Sequence, residues 1–146
     1  MNSLHTLESF LQHYHWALLA LSVLVLMVLI QNFLTAPLAF LKGEQTPGEP
    51  LKGNHQQLSF RVLRTHANSV ENIAVFGFAL LLAILATANP SWVNGLAIGH
   101  VIFRMAFWAV YYSGIGKVAG GLRTMCFVGG LTSNIILGFF ALVALL

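Results

Sequence analysis

The sequence predicts an all-α membrane protein, a single domain over residues 1–146 in which four helices cross the bilayer. Three observations lead there. Only 8% of the residues are charged and 58% are hydrophobic, whereas a soluble domain is about 25% charged. Four segments are long and apolar enough to supply the roughly 20 residues that one crossing needs. Basic residues flank two of the three connecting loops and spare the third.

The spans are expected at about 16–41, 58–88, 92–112 and 122–146. The stretch before Trp16 sets Leu4, Leu7, Phe10 and Leu11 among polar residues, which suits a short helix lying in the interface. The segment Lys42 to Gln57 holds Gly43, Pro47, Gly48, Pro50 and Gly53 and reads as a solvated, turn-rich loop. Asn89-Pro90-Ser91 reads as a tight hairpin, with Ser91 a candidate cap for the third span. Ser113 to Gly121 is a glycine-rich loop around Lys117. The first 14 residues carry no Lys or Arg, so a signal peptide is not expected.

Charge sets the orientation. Lys42, Lys52, Arg61 and Arg64 flank the first loop, and Lys117 and Arg123 flank the third. Basic residues favour the cytoplasmic side, so both loops are expected there and both termini on the opposite side. The formal charge of +3 is spread without a basic run, and no nucleic-acid partner is expected. The lone cysteine, Cys126, has no intrachain disulfide partner. Its neighbours Met125 and Phe127 suggest a buried, inert thiol. No metal site is expected.

The second span opens with polar residues. At about 100° per residue, Arg61, Arg64, Asn68, Glu71 and Asn72 share one stripe, with His66 and Ser69 off it. Such groups are expensive in lipid and should face the bundle interior or a wet cavity. A network that only locks the helices together explains them as well as a binding site does. The third span carries His100, Arg104, Phe107 and Tyr111 on one face. Arg104 lies about 13 Å below the end of its helix at 1.5 Å per residue. Glu71 lies at similar depth and is the only acid in any span, so a Glu71–Arg104 ion pair is expected, within the protomer or across an interface. His100 reads as a helix-contact histidine. Arg123-Thr124 opens the fourth span, where the arginine is either a headgroup anchor or a fixed positive charge beside a cavity. Together Arg61, Arg64, Arg104, Arg123, Asn68, Glu71 and Tyr111 suit an anion with two carboxylates and an amine. An arginine and a hydroxyl near a thiol would favour its thiolate. Glutathione has these groups.

The run Arg64-Thr65-His66-Ala67-Asn68-Ser69-Val70-Glu71-Asn72 resembles the R-x-H-x-N-x-x-E-N signature of the MAPEG family, the membrane-associated proteins of eicosanoid and glutathione metabolism. The four-span layout, the Arg104–Tyr111 helix and the Leu122-Arg123-Thr124 opening extend the resemblance over most of the chain. It implies a left-handed four-helix bundle assembled as a homotrimer, with glutathione as co-substrate held near the cytosolic face between protomers. By the same resemblance Arg64, Asn68, Glu71 and Tyr111 bind glutathione; Arg61 is a candidate binding residue from its place in the polar stripe. Arg123 stabilises the thiolate, Thr124 stands where some members have a serine hydroxyl, and Arg104 is the buried partner of the helix-two glutamate. Ala67, Phe107 and Phe127 depart from the prostaglandin-E synthase of the family, which argues against an eicosanoid synthase.

The expected activity is a glutathione transferase, and a candidate peroxidase, acting on lipophilic electrophiles that arrive through the bilayer. The alternative is a non-catalytic scaffold or anionic-lipid-binding protein. A small cation exporter fits poorly, because arginines surround the one membrane glutamate.

Overall fold

The structure is a computed structural model and describes residues 2–41, 43–117 and 119–146. Lys42, one of the basic residues expected to flank the first loop, lies outside the described residues. Five helices follow in order: α1 (Asn2–His13), α2 (His15–Phe40), α3 (Leu58–Leu85), α4 (Pro90–Ser113) and α5 (Leu122–Leu145). Among the described residues there is no strand. Each of α2 to α5 is long and apolar enough to cross a membrane. Helix α1 stands where the short interfacial helix is expected.

Packing in lipid cannot draw on a hydrophobic difference between helix and solvent, so small residues and interhelical hydrogen bonds carry it. The core follows that rule. Ala17, Ala83, Ala97 and Ala141 are buried between helices around Leu24, Phe76, Leu80, Val93 and Leu137. Phe33, Phe78, Leu85, Trp92 and Phe139 are exposed on the outside, as a lipid-facing surface requires.

One end of the bundle is pinned by side chains reaching backbone. The Tyr14 hydroxyl donates to the Ala88 carbonyl at 2.6 Å. Asn94 donates to the His13 carbonyl and accepts from the Ala17 amide. The cap of α4 is Asn89, whose side chain accepts from the amides of Ser91 and Trp92, and not Ser91 as the hairpin motif suggests. With Pro90 in the first turn, where its missing amide proton costs nothing, the helix starts two residues earlier than the apolar run predicts. Helix α3 correspondingly ends at Leu85, before Thr87 takes a left-handed φ of 55°.

At the other end, α2 contains a π-helical turn, Gln31–Thr35, two residues before Pro37, whose lack of an amide proton breaks the regular ladder. The turn buries Gln31. Its Nε2 donates to the Tyr112 hydroxyl at 2.6 Å, tying α2 to the end of α4 where the polar residues gather.

Candidate functional site

Three helices and a loop bring the polar residues to that end. A cleft of about 320 Å³ is lined by Arg64 and Asn68 of α3, Phe107 and Tyr111 of α4, and Arg123, Thr124 and Phe127 of α5, with His55 from the loop before α3. Five of the eight residues singled out in the sequence therefore border one cavity.

Arg104 forms its support. Its side chain is 2% exposed, so its charge has to be met inside the protein. Nη1 donates to Asn68 Oδ1 at 2.8 Å and Nη2 to Ser69 Oγ at 3.4 Å, and Cζ lies 4.9 Å from the Phe107 ring centroid. Ser69 Oγ also accepts from Trp108 Nε1 at 2.9 Å and donates to the Thr65 carbonyl. Asn68 therefore reaches the cleft with its carbonyl oxygen already held by a buried cation.

The expected Glu71–Arg104 pair is absent within the chain. Among the described residues Glu71 instead lies 3.6 Å from Arg64, both half-exposed. Helix rotation explains the difference. Arg104 meets α3 between Asn68 and Ser69, whereas Glu71 lies about 60° beyond Asn68 on the far side, at about 100° per residue. The polar stripe thus borders the cleft and the bundle flank, and the buried face of α3 is Thr65, Ser69 and Phe76. His100 is the helix-contact histidine expected of it, stacked on Phe76 at 4.1 Å and bonded through Nδ1 to the Gly130 carbonyl. Cys126 is buried beside Phe107 and Tyr111, as its neighbours suggest.

Arg61 is committed to backbone. Nη1 donates to the carbonyls of His55 and Gln56, and Nε and Nη2 to that of Tyr112. It closes the end of α4, where Gly114 takes a φ of 69° and a Cβ would lie 2.9 Å from the guanidinium carbon.

Arg123 has a different setting. Its guanidinium carbon stands 4.6 Å from the Tyr111 ring centroid, and Nη1 lies 3.3 Å from His55 Nδ1. Arginine has only donors, so Nδ1 is the acceptor and the ring proton sits on Nε2. The Tyr111 hydroxyl then donates to the same nitrogen at 3.0 Å. Burial, and then the charges of Arg123, Arg64 and Arg61, pull the pKa of His55 below its ordinary 6.5. Thr124 Oγ1 accepts from the Gly120 amide at 3.2 Å, which leaves its proton to donate elsewhere.

His55 is the site residue that sequence reasoning misses. It lies in a loop without periodicity, and its only signal is a histidine six residues before Arg61. Phe107 and Phe127 give the cleft an apolar wall, so two of the three departures from the prostaglandin-E synthase pattern fall on the cleft, and Ala67 does not border it. Among the described residues no group of histidines, cysteines and carboxylates could hold a metal ion.

The fold and cleft define an integral, multi-pass membrane protein with an arginine-rich cavity at one end of a four-helix bundle. The sequence model of the MAPEG family matches residues 16–143, a stretch that reaches all four spans, and the chain belongs to that family. A search of the curated proteins finds no match.

Proposed function

We propose that the protein is a membrane-bound glutathione transferase, with peroxidase activity as a companion reaction, that joins the glutathione thiolate to lipophilic electrophiles. The observation that carries the reading is the cleft itself. Two arginines, an amide, a phenol and a threonine hydroxyl border one cavity in an otherwise apolar bundle, and the family acts in glutathione metabolism. Arg64 offers a fork to a carboxylate of the tripeptide. Glu71, beside Arg64, offers a carboxylate to its ammonium. Asn68 and Tyr111 fix the backbone of the peptide.

Arg123 supplies the positive charge that favours the thiolate, and the Thr124 hydroxyl donates to sulfur. The thiol proton leaves to solvent. The thiolate attacks the electrophilic carbon, forms the C–S bond and expels the leaving group with its electron pair. Positioning and thiolate formation both lower the barrier. An apolar groove bordered by Phe103, Leu122, Met125, Cys126 and Val128 meets the cleft at Thr124, which supports entry of the electrophile from the bilayer.

The working assembly is a homotrimer, with the site facing the cytoplasm and both termini on the other side. Glu71 and Arg64 support this. Glu71 lies about 20 Å along α3 from its start at 1.5 Å per residue, and its side chain is 58% exposed in the single chain. A charge at that depth needs cover from lipid, and a neighbouring protomer would provide it.

Calorimetric titration with glutathione, run beside conjugation of a chloronitrobenzene in detergent, tests the reading. Saturable binding with conjugation above the uncatalysed rate supports it. Binding without conjugation would favour the scaffold alternative, and no binding would refute both roles for glutathione.

A further inference from the structure

A second cavity adjoins the cleft. It holds about 310 Å³ and is bordered by His55, Arg61, Tyr111, Lys117, Arg123 and the 113–116 backbone. His55, Tyr111 and Arg123 are shared by both cavities, so these three side chains form the partition between them. They make a closed set of contacts. The imidazole Nδ1 accepts from the Tyr111 hydroxyl and from Arg123, and Arg123 stacks on the Tyr111 ring. His55 is itself fixed from outside the set. Its carbonyl accepts from Arg61 Nη1 at 2.9 Å, and its ring packs edge-on against Phe60 at 5.0 Å.

We propose that His55 is a positioning residue of the thiolate site, its neutral imidazole holding the Arg123 guanidinium and the Tyr111 hydroxyl in place, so that protonation of His55 switches the site off. The inference rests on the transferase reading.

The chemistry is direct. Arginine side chains have many rotamers, and a guanidinium at a cavity wall points usefully only where an acceptor fixes one of its edges. His55 Nδ1 is that acceptor, and it leaves the remaining donors of Arg123 for the sulfur. The charged and titratable groups around the ring are Arg61 and Arg64 of α3, Tyr111 of α4, Lys117 of the third loop and Arg123 of α5. No carboxylate borders either cavity among the described residues. Glu71 stands behind Arg64, 3.6 Å from it and off both cavity walls, and the charges that act on the ring are those of Arg123, Arg64 and Arg61, which oppose a positive imidazole.

When His55 takes a proton, Nδ1 becomes a donor: the Tyr111 contact reverses, with the hydroxyl now accepting, the Arg123 contact is lost, and a second cation stands against Arg123. The sign follows from the lowered pKa. The arrangement is complete above about pH 6.5 and is lost as pH falls through the depressed value. Loss of the thiolate and loss of Arg123 orientation then compound on the acid side.

The test compares the unaltered protein with His55→Gln and His55→Leu. Glutamine keeps an acceptor and cannot titrate, whereas leucine keeps bulk alone. The readouts are ultraviolet thiolate absorbance of bound glutathione between pH 5 and 8, glutathione affinity by titration, and conjugation rate. The expected result has three parts. His55→Leu loses about tenfold in thiolate fraction and rate with affinity changed less than about threefold. His55→Gln stays near the unaltered protein at neutral pH. The acid limb of the rate profile is steeper in the unaltered protein than in His55→Gln.

Equal thiolate absorbance in His55→Leu and the unaltered protein would overturn the inference alone. So would a His55→Gln protein as impaired as His55→Leu, or parallel acid limbs. Should His55→Leu fail to fold, the Gln comparison still decides. Absence of any thiolate signal in the unaltered protein would overturn the transferase reading and this inference with it.

Discussion

Ser69 offers the sharpest test of how the site is supported. The residue is 2% exposed, and its hydroxyl joins polar groups of two helices, α3 and α4. It accepts from Trp108 Nε1 at 2.9 Å and Arg104 Nη2 at 3.4 Å, and it donates to the Thr65 carbonyl. Ser69→Ala removes one small oxygen and strands two donors.

A buried donor left without a partner costs about 1–3 kcal/mol in soluble proteins. Interhelical hydrogen bonds in membranes average about 0.6 kcal/mol and reach about 1.7, because an unfolded membrane chain also finds partners. The Arg104 contact is long, and that arginine keeps Asn68, so the Trp108 bond carries most of the loss. A destabilisation of about 1–2 kcal/mol is expected, measured by reversible unfolding in mixed micelles.

Trp108→Phe removes the same bond from the other side. In the double variant the shared bond is counted once, so the cycle should give a coupling of about 0.5–1.5 kcal/mol. Glutathione affinity should fall several-fold in Ser69→Ala, because Arg104 then holds Asn68 less firmly. Additive single effects and unchanged affinity would refute the claim that Arg104 and Ser69 brace the cleft.

Gly114→Ala should destabilise the protein by about 1–2 kcal/mol, the ordinary cost of a left-handed backbone for a residue with a Cβ, with a further loss from the crowded Arg61 guanidinium; thermal unfolding in detergent checks this, and an unchanged midpoint would contradict it. Glu71→Ala leaves Arg64 without its partner, so if the proposed trimer forms, the purified variant should shift from it toward smaller species in size-exclusion chromatography with light scattering, and an intact, equally heat-stable trimer would count against the interface role. Unaltered protein that is fully active as a monomer in detergent would remove the trimer from the account.

The spans and their order are legible because a membrane crossing writes itself as a long, mostly apolar stretch, and α2 to α5 each do so although α3 opens with polar residues and α4 carries Arg104. The end at which chemistry gathers is legible too. Arg64, Asn68, Tyr111, Arg123 and Thr124 stand at the same ends of their helices, and the structure brings them to one cavity. Equal depth, however, says nothing about rotation. The sequence sets Glu71 and Arg104 at similar depth, yet Arg104 meets the Asn68–Ser69 face and Glu71 turns outward to Arg64.

The helix periodicity that groups Arg61 with the stripe also hides its role, because the carbonyls that capture it come from the first loop and the end of α4. His55 lies in that loop, where no periodic pattern predicts direction. The Asn89 cap is a local exception. Asn and Ser are comparable caps, and the choice between them turned on whether Pro90 opens the helix or ends the hairpin.

The central claim is that Arg123 holds a glutathione thiolate in the cleft. Difference absorbance of the thiolate, measured on mixing glutathione with the unaltered protein and with Arg123→Leu at pH 7, tests it most directly. Arg123 stands near the start of α5, and the fold should survive its replacement. The account predicts a clear thiolate band in the unaltered protein and a band reduced about tenfold or more in Arg123→Leu, equivalent to about 1.4 kcal/mol, with conjugation slowed in parallel. Equal bands and equal rates in the two proteins would contradict it and leave Arg123 as a headgroup anchor.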